Sequence, residues 1–267
     1  MSGALQVMGD GFVIAKRNLI KVKRVPDLLV ASTLSPIMFV LLFAYVFGGS
    51  IDVPGVNYRE FLIAGIFAQT MIFGATITGM SLAEDLQKGV IDRFRSLPMS
   101  QAGVLIGRTS ADVMFNLLVI TVMSVTGLIV GWRIRTSFLE ALAGFVLLVL
   151  FAYAISWVMA VVGLLVRVPE VFNNAVFIMI FPLTFIANTF VPSDNLPTVL
   201  RAFAEWNPVS AVTQAARELF GNTNPLQPVP EAWPLQNPVL YTLLWVVVTL
   251  AVFVPLSVAQ YRRAAAR

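Results

Sequence analysis

The chain has no cysteine and no histidine. Without cysteine there is no disulfide framework, no thiolate chemistry and no zinc–cysteine centre. Without histidine the usual general base and the commonest metal ligand are missing, and no metal site is expected. Charge is scarce as well. Only 12% of residues are Asp, Glu, Lys or Arg, against about 25% in an average soluble domain. With 58% hydrophobic residues, this balance argues against a water-soluble fold. Lysine occurs only at positions 16, 21, 23 and 88, followed by Arg, Val, Arg and Gly. A Walker-type phosphate loop needs Lys followed by Ser or Thr after a glycine-rich turn. That motif is absent, so the chain is expected not to be an enzyme and to bind no nucleotide itself. The first ten residues lack the basic start of a secretory leader, and the first apolar run is expected to stay as an anchor. There is no internal repeat.

What is present is a series of six apolar runs. They cover about Leu28–Phe47, Phe61–Leu82, Asp112–Val130, Leu139–Val166, Val171–Val191 and Val239–Val258. Each approaches the roughly 20 residues that a spanning helix needs. The expected fold is therefore an all-α integral membrane protein with six transmembrane helices, forming a single transmembrane domain over residues 1–267. Lys and Arg favour the cytoplasmic side of a bilayer. With both termini inside, 13 of the 18 cations fall in inner segments. Arg133 and Arg135, in a short outer loop, are the awkward exception.

No ionisable residue lies well inside a run. Asp112, at the start of the third, is the nearest case and is placed at the inner interface. Ion-coupled carriers usually bury a charged group for the coupling ion, so the driving energy is expected to come from another subunit. The polar residues within the runs are uncharged. Gln69, Thr76, Asn116 and Asn188 are candidates for a substrate path. The competing role for such residues is to hold helices together, with Gly65, Gly74 and Gly79 allowing close approach.

Three polar segments frame the runs. Residues 10–24 alternate an apolar face (Phe12, Ala15, Leu19, Val22) with a basic one that includes Lys16, Arg17, Lys21 and Arg24. This is the composition of a helix lying on an anionic leaflet; a simple basic flank of the first run is the other reading. Residues 84–98 hold Glu84, Asp85, Lys88, Asp92, Arg93 and Arg95 between two runs. Read as one helix, Leu86, Val90, Phe94 and Leu97 share a face, and Pro98 ends it. That stripe either docks on a partner or packs on the chain's own inner helix ends. In the outer segment 192–238, Pro197–Trp206 and Pro208–Phe220 each read as a short helix, with Gly221 as a C-cap. The pair is either re-entrant or lies on the surface. Residues 222–238 read as a linker.

The tract Asp85–Pro98, with Gly89, Arg93, Arg95 and Pro98 in its core and Gly107-Arg108 after it, carries a family likeness. So does Glu205-Trp-Asn-Pro-Val-Ser210 followed by a helix with Arg217. With six spans and a basic N-terminal helix, the chain resembles the type-2 permeases of ABC transporters, the daunorubicin-resistance branch in particular. The resemblance implies a second permease copy or sister permease, and a separate ATP-binding cassette subunit that holds ATP and Mg. It implies that the 84–98 loop (Glu84, Asp85, Leu86, Lys88, Gly89, Val90, Asp92, Arg93, Phe94, Arg95, Pro98) is the coupling helix, that helix 10–24 lies beside it on membrane lipid, and that the outer pair is re-entrant. It also implies a bacterial inner-membrane location, no nucleic-acid partner, and export of hydrophobic drugs, lipids or polyketide-like products. The competing function is a secondary carrier or channel for amphipathic solutes that works without ATP. A lipid-modifying enzyme ranks last, because Asp112, Glu140 and Glu205 are scattered.

Overall fold

The computed structural model describes residues 26–47, 58–90, 101–166, 168–190, 193, 196–223 and 230–264, and every structural statement refers to these. The described residues form helices and connecting turns, with no strand among them. α1 is Pro26–Leu42, continued by a π-helical turn Phe43–Phe47. α2 is Tyr58–Gln87, α3 Gln101–Val130, α4 Phe138–Leu165 and α5 Pro169–Phe185. The short helices α6 (Thr198–Trp206), α7 (Pro208–Phe220) and α8 (Trp233–Gln236) precede α9, Pro238–Ala264. Four helices, α2, α3, α4 and α9, are long and apolar enough to cross a membrane; Thr33–Val46 and α5 are shorter apolar helices. The basic segment with Lys16, Arg17, Lys21 and Arg24 lies outside the described residues.

α2 is the axis of the molecule. In its most apolar stretch 72% of the residues are buried, against 17% in α9, so α2 faces protein and α9 is left for lipid. α4 and α3 both pack along α2 and touch each other, and α7 closes the end where α2 begins. Small residues set the approach of α2 to α4. A Cβ on Gly163 would stand 2.2 Å from the Gly79 carbonyl oxygen, and one on Gly79 would stand 2.4 Å from that of Met159. In a bilayer such close backbone contact replaces the hydrophobic drive that lipid removes. Gly163→Ala is therefore expected to destabilise the protein by about 1–3 kcal/mol through overpacking. Gly127→Ala should cost far less, because its nearest atom would be 3.3 Å away. Thermal unfolding of the two variants in detergent checks the contrast.

Helix ends follow local chemistry. Ser137 and Glu140 form a capping box at the start of α4. Asn207 caps α7, Pro208 is its first residue, and Gly221 ends it at φ +71, a left-handed conformation that glycine adopts without steric cost. The α3–α4 turn is sewn to the end of α7. Arg135 N–H donates to Phe220 O, Thr136 Oγ1 to Leu219 O and Trp132 Nε1 to Asn222 Oδ1. Phe67, Trp132 and Phe220 meet edge to face, with centroids 5.3–6.2 Å apart.

The two awkward arginines have partners in this turn. Arg135 donates through Nε and Nη2 to the buried Glu60 carboxylate, and this hydrogen bond, followed by the charge of Glu60, raises its pKa above the ordinary arginine value. Arg133 donates to Leu128 O and Trp132 O, at the end of α3.

Three sequence expectations need correction. Residues 84–98 do not form one helix: α2 runs on to Gln87, and Gly89 turns the chain at φ +63 before Val90 is again helical. The helix that carries the third apolar run begins earlier, at Gln101, where Arg108 on it is neutralised by Asp85. Asp112 is consequently not at the start of this helix but about three turns into it. Residues 222–238 are not linker throughout, since they contain α8 and the start of α9.

Candidate functional site

Two places carry chemistry: a cavity halfway along α2, and the elbow where α2 and α3 meet. The cavity has a volume of about 400 Å³. Ser35, Pro36 and Phe39 of α1 line it, with Gln69, Thr70, Phe73, Gly74 and Ile77 of α2. Phe115, Asn116 and Val119 of α3, and Phe177, Phe181 and Phe185 of α5, complete it. Its wall is thus largely phenylalanine, with four uncharged polar side chains. Phe177, Phe181 and Phe185 recur every four residues and stack down α5 with centroids 5.1 and 4.1 Å apart. That i, i+4 spacing was visible in the sequence; its use as a cavity wall was not.

Gln69 and Asn116 are both buried and both line the cavity. Asn116 Oδ1 has no hydrogen-bond partner, and it lies against Gly74, where an added Cβ would come within 2.2 Å of it. A buried amide oxygen without a partner is costly, and this one is left able to accept from a donor placed in the cavity. The other two candidate path residues lie elsewhere. Thr76 is half-buried and its hydroxyl is spent on Phe73 O at 2.7 Å. Asn188 sits beyond the end of α5, where its N–H donates to Ser210 Oγ.

At the elbow, Arg108 Nη1 lies 2.7 Å from Asp85 Oδ2. The contact is off the N–H direction, so it is an ion pair more than an aligned hydrogen bond. Both side chains are mostly covered, 10% and 18% exposed. Asp112 stands one helical turn from Arg108 and accepts a hydrogen bond from Thr78 Oγ1. α2 and α3 are therefore tied at two levels, seven residues or about 10 Å apart along α2. Glu84 pairs with the exposed Lys88 at 3.0 Å. Leu86 is half-buried and packs against the cluster of Leu82, Val104, Leu105 and Trp157 in the chain's own inner core. Val90 is half-buried. Asp92, Arg93, Phe94, Arg95 and Pro98 lie outside the described residues.

Sequence reasoning missed Arg108 as half of an ion pair and Arg217 as a buried group. For Arg217 a signal existed: on α7 it shares a face with Thr213 and Phe220, both buried, at spacings of four and three.

Comparison with known proteins gives this geometry a family. Residues 11–220 match the family model for the ABC-2 type transporter. A daunorubicin resistance ABC transporter permease protein of Streptomyces coeruleorubidus is 32% identical over 207 residues, 78% of this chain and 73% of the relative. A probable doxorubicin resistance ABC transporter permease protein of Mycobacterium tuberculosis is 25% identical over 231 residues, 86% and 79% of the two chains. A putative transport permease of Cyanophora paradoxa is 23% identical over 217 residues, 80% and 74%. This multi-pass, helical chain, whose central cavity is walled by phenylalanine, belongs to the ABC-2 type transporter family.

Proposed function

We propose that the chain is the membrane-spanning subunit of an ATP-driven exporter whose cargo, hydrophobic or amphipathic, binds in the phenylalanine-walled cavity. The observation that carries this reading is the cavity's lining of aromatic rings with a few uncharged polar groups, including an unpartnered amide. Such a site suits a flat or flexible apolar molecule with one or two polar atoms. The drug-resistance permeases among its relatives support a cargo of that kind.

Power enters through the loop between α2 and α3, carried by Asp92, Arg93, Phe94, Arg95 and Pro98 together with Lys88, Gly89 and Val90. Both feet of this loop stand on helices tied by Asp85–Arg108 and Thr78–Asp112. A push on the loop is delivered to α2 and α3 as a pair, and both line the cavity. The partner is an ATP-binding cassette subunit, which supplies the phosphate loop this chain lacks and holds ATP and Mg. A second permease copy covers the face of α1 and α5, where Leu34, Met38, Phe177 and Ile178 are exposed beside the cavity mouth. The remaining parts follow: six spans in a bacterial cell membrane, both termini in the cytoplasm, helix 10–24 on the inner leaflet, and α6–α7 as an outer re-entrant pair.

Two measurements test the reading. A Walker-loop ATPase should co-purify with the solubilised chain, and dye or drug export by the reconstituted complex should require ATP hydrolysis. Asp92→Arg and Arg93→Glu should each lower export by about tenfold or more by misaligning the docked loop, with normal insertion. Solute accumulation by the chain alone, driven by an ion gradient, would establish a secondary carrier instead.

A further inference from the structure

Between the end of α5 and the outer helices the chain is not helical over residues 186–190. Backbone groups in such a segment need partners, and here the partners come from other elements. Arg217 Nη2 of α7 donates to Asn188 O at 2.8 Å and Thr189 O at 3.1 Å. Tyr58 of α2 donates to Phe190 O at 3.3 Å. The Asn188 N–H goes to Ser210 of α7, and Asn207 Nδ2 holds Leu183 O at the last turn of α5. Arg217 is 2% exposed, sits 3.5 Å over the Phe61 ring, and donates through Nε to Phe61 O. Among the described residues no carboxylate pairs with it. Among the described residues its charge is met by carbonyl oxygens and the face of the Phe61 ring, and its Nη1 has no hydrogen-bond partner.

The same segment fits a notch in α2. A Cβ on Gly65 would stand 2.1 Å from Thr189 O, so only glycine lets the strap lie this close. What the strap carries is the ring of Phe190. That ring is buried against Phe43 at 4.7 Å, Phe185 at 5.1 Å and Phe39 at 6.0 Å. Phe39 and Phe185 are also walls of the cavity. Phe190 is thus not a wall of the cavity itself but packs behind two of its wall rings, on the side of α7 and away from the Asp85–Arg108 elbow.

We propose that residues 186–190 are the outer gate of this cavity, with Phe190 as its stopper and Arg217 as the residue that positions it. Opening withdraws Phe190 from between Phe39, Phe43 and Phe185. Because the strap's polar contacts are to α7 and α2, a shift of α7 relative to α2 is what releases it. A guanidinium whose hydrogen bonds go to carbonyls suits such a latch: those bonds can exchange without stranding a paired carboxylate. The proposal rests on the cavity being the transport route.

The absence of native cysteine makes the test clean. Thr70→Cys places one thiol in the cavity wall, and Val199→Cys places one outside it, on the exposed face of α6. Each is labelled with a membrane-impermeant sulfonated maleimide added from outside to vesicles containing the chain with its ATPase. Phe190→Ala, Gly65→Ala and Arg217→Gln should each speed labelling at position 70 by about tenfold or more, as the open population rises, with position 199 unchanged. Arg217→Lys keeps the charge but not the fork of donors and should fall between. If Arg217→Gln does not fold, Gly65→Ala and Phe190→Ala carry the test. Unchanged labelling at position 70 in these variants overturns the gate. Should the thiol adduct still block export in that case, the cavity survives as the route and only the gate fails. Faster labelling with an adduct that leaves export intact would keep the stopper but remove the route. An Arg217→Gln protein with lower yield and normal labelling would reduce Arg217 to a structural role.

Discussion

Arg108→Glu should abolish export and leave little folded protein. Arg108 is 8% exposed and pairs with Asp85 at 2.7 Å. Reversal would put a third carboxylate between Asp85 and Asp112, with no cation left in the pair. Breaking a covered ion pair by removing one member costs about 3–5 kcal/mol, because the survivor is left desolvated and alone. Total stabilities of about 5–15 kcal/mol make that a large share. Arg108→Gln should be milder, since only Asp85 loses its partner. The informative variant is the exchange Asp85→Arg with Arg108→Asp. It restores opposite charges across the same two helices and keeps a cation near Asp112. If the pair serves as a tie, the exchange recovers folding and most ATP-dependent export. If Arg108 has a separate duty toward the ATPase, folding returns and export does not. Yield, melting temperature and export measured on the three variants separate these outcomes.

The pair also shows where the sequence was legible and where it was not. Hydropathy located the apolar runs, since lipid-facing and core-facing residues are apolar alike. It could not locate the start of α3, because Gln101–Asp112, with Arg108, Thr109, Ser110 and Asp112 in it, looks like loop until their partners are known. Arg108 is tolerated in a helix against the core only through Asp85, which is 23 positions away in sequence. The same limit applies at Glu60–Arg135, 75 positions apart. Local signals did better. Proline at N1 and glycine at C′ are rules of backbone geometry, and the structure has α7 running from Pro208 to Phe220 with Gly221 after it. The single-helix reading of 84–98 failed for a local reason as well. Periodicity put Leu86 and Val90 on one face, but Gly89 adopts positive φ and breaks the helix between them. Of the path candidates, Gln69 and Asn116 share a cavity while Thr76 and Asn188 do not. Face-sharing on one helix does not say which neighbour stands opposite.

Gly74→Ala and Asn116→Ala should be individually damaging and should interact strongly. A methyl at position 74 would overlap Asn116 Oδ1 at 2.2 Å, so the alanine variant must displace the amide or separate α2 from α3. Either movement costs about 1–3 kcal/mol and deforms the cavity. Asn116→Ala removes the obstruction and enlarges the cavity, but it also removes a buried amide from the cavity wall. The double variant should therefore regain most of the stability lost in Gly74→Ala, because the new methyl fills the space the amide left. Contacting residues commonly show interaction energies of about 0.5–3 kcal/mol in such cycles. Export separates packing from recognition. If Asn116 acts only as packing, the double variant transports as well as it folds. If the amide hydrogen-bonds the cargo, export stays down by about tenfold, the cost of one lost hydrogen bond of ordinary strength, even where the melting temperature has recovered. Gln69→Leu, which leaves the Gly74–Asn116 contact alone, should then lower export of cargo that carries hydroxyl or carbonyl groups more than export of cargo that has none.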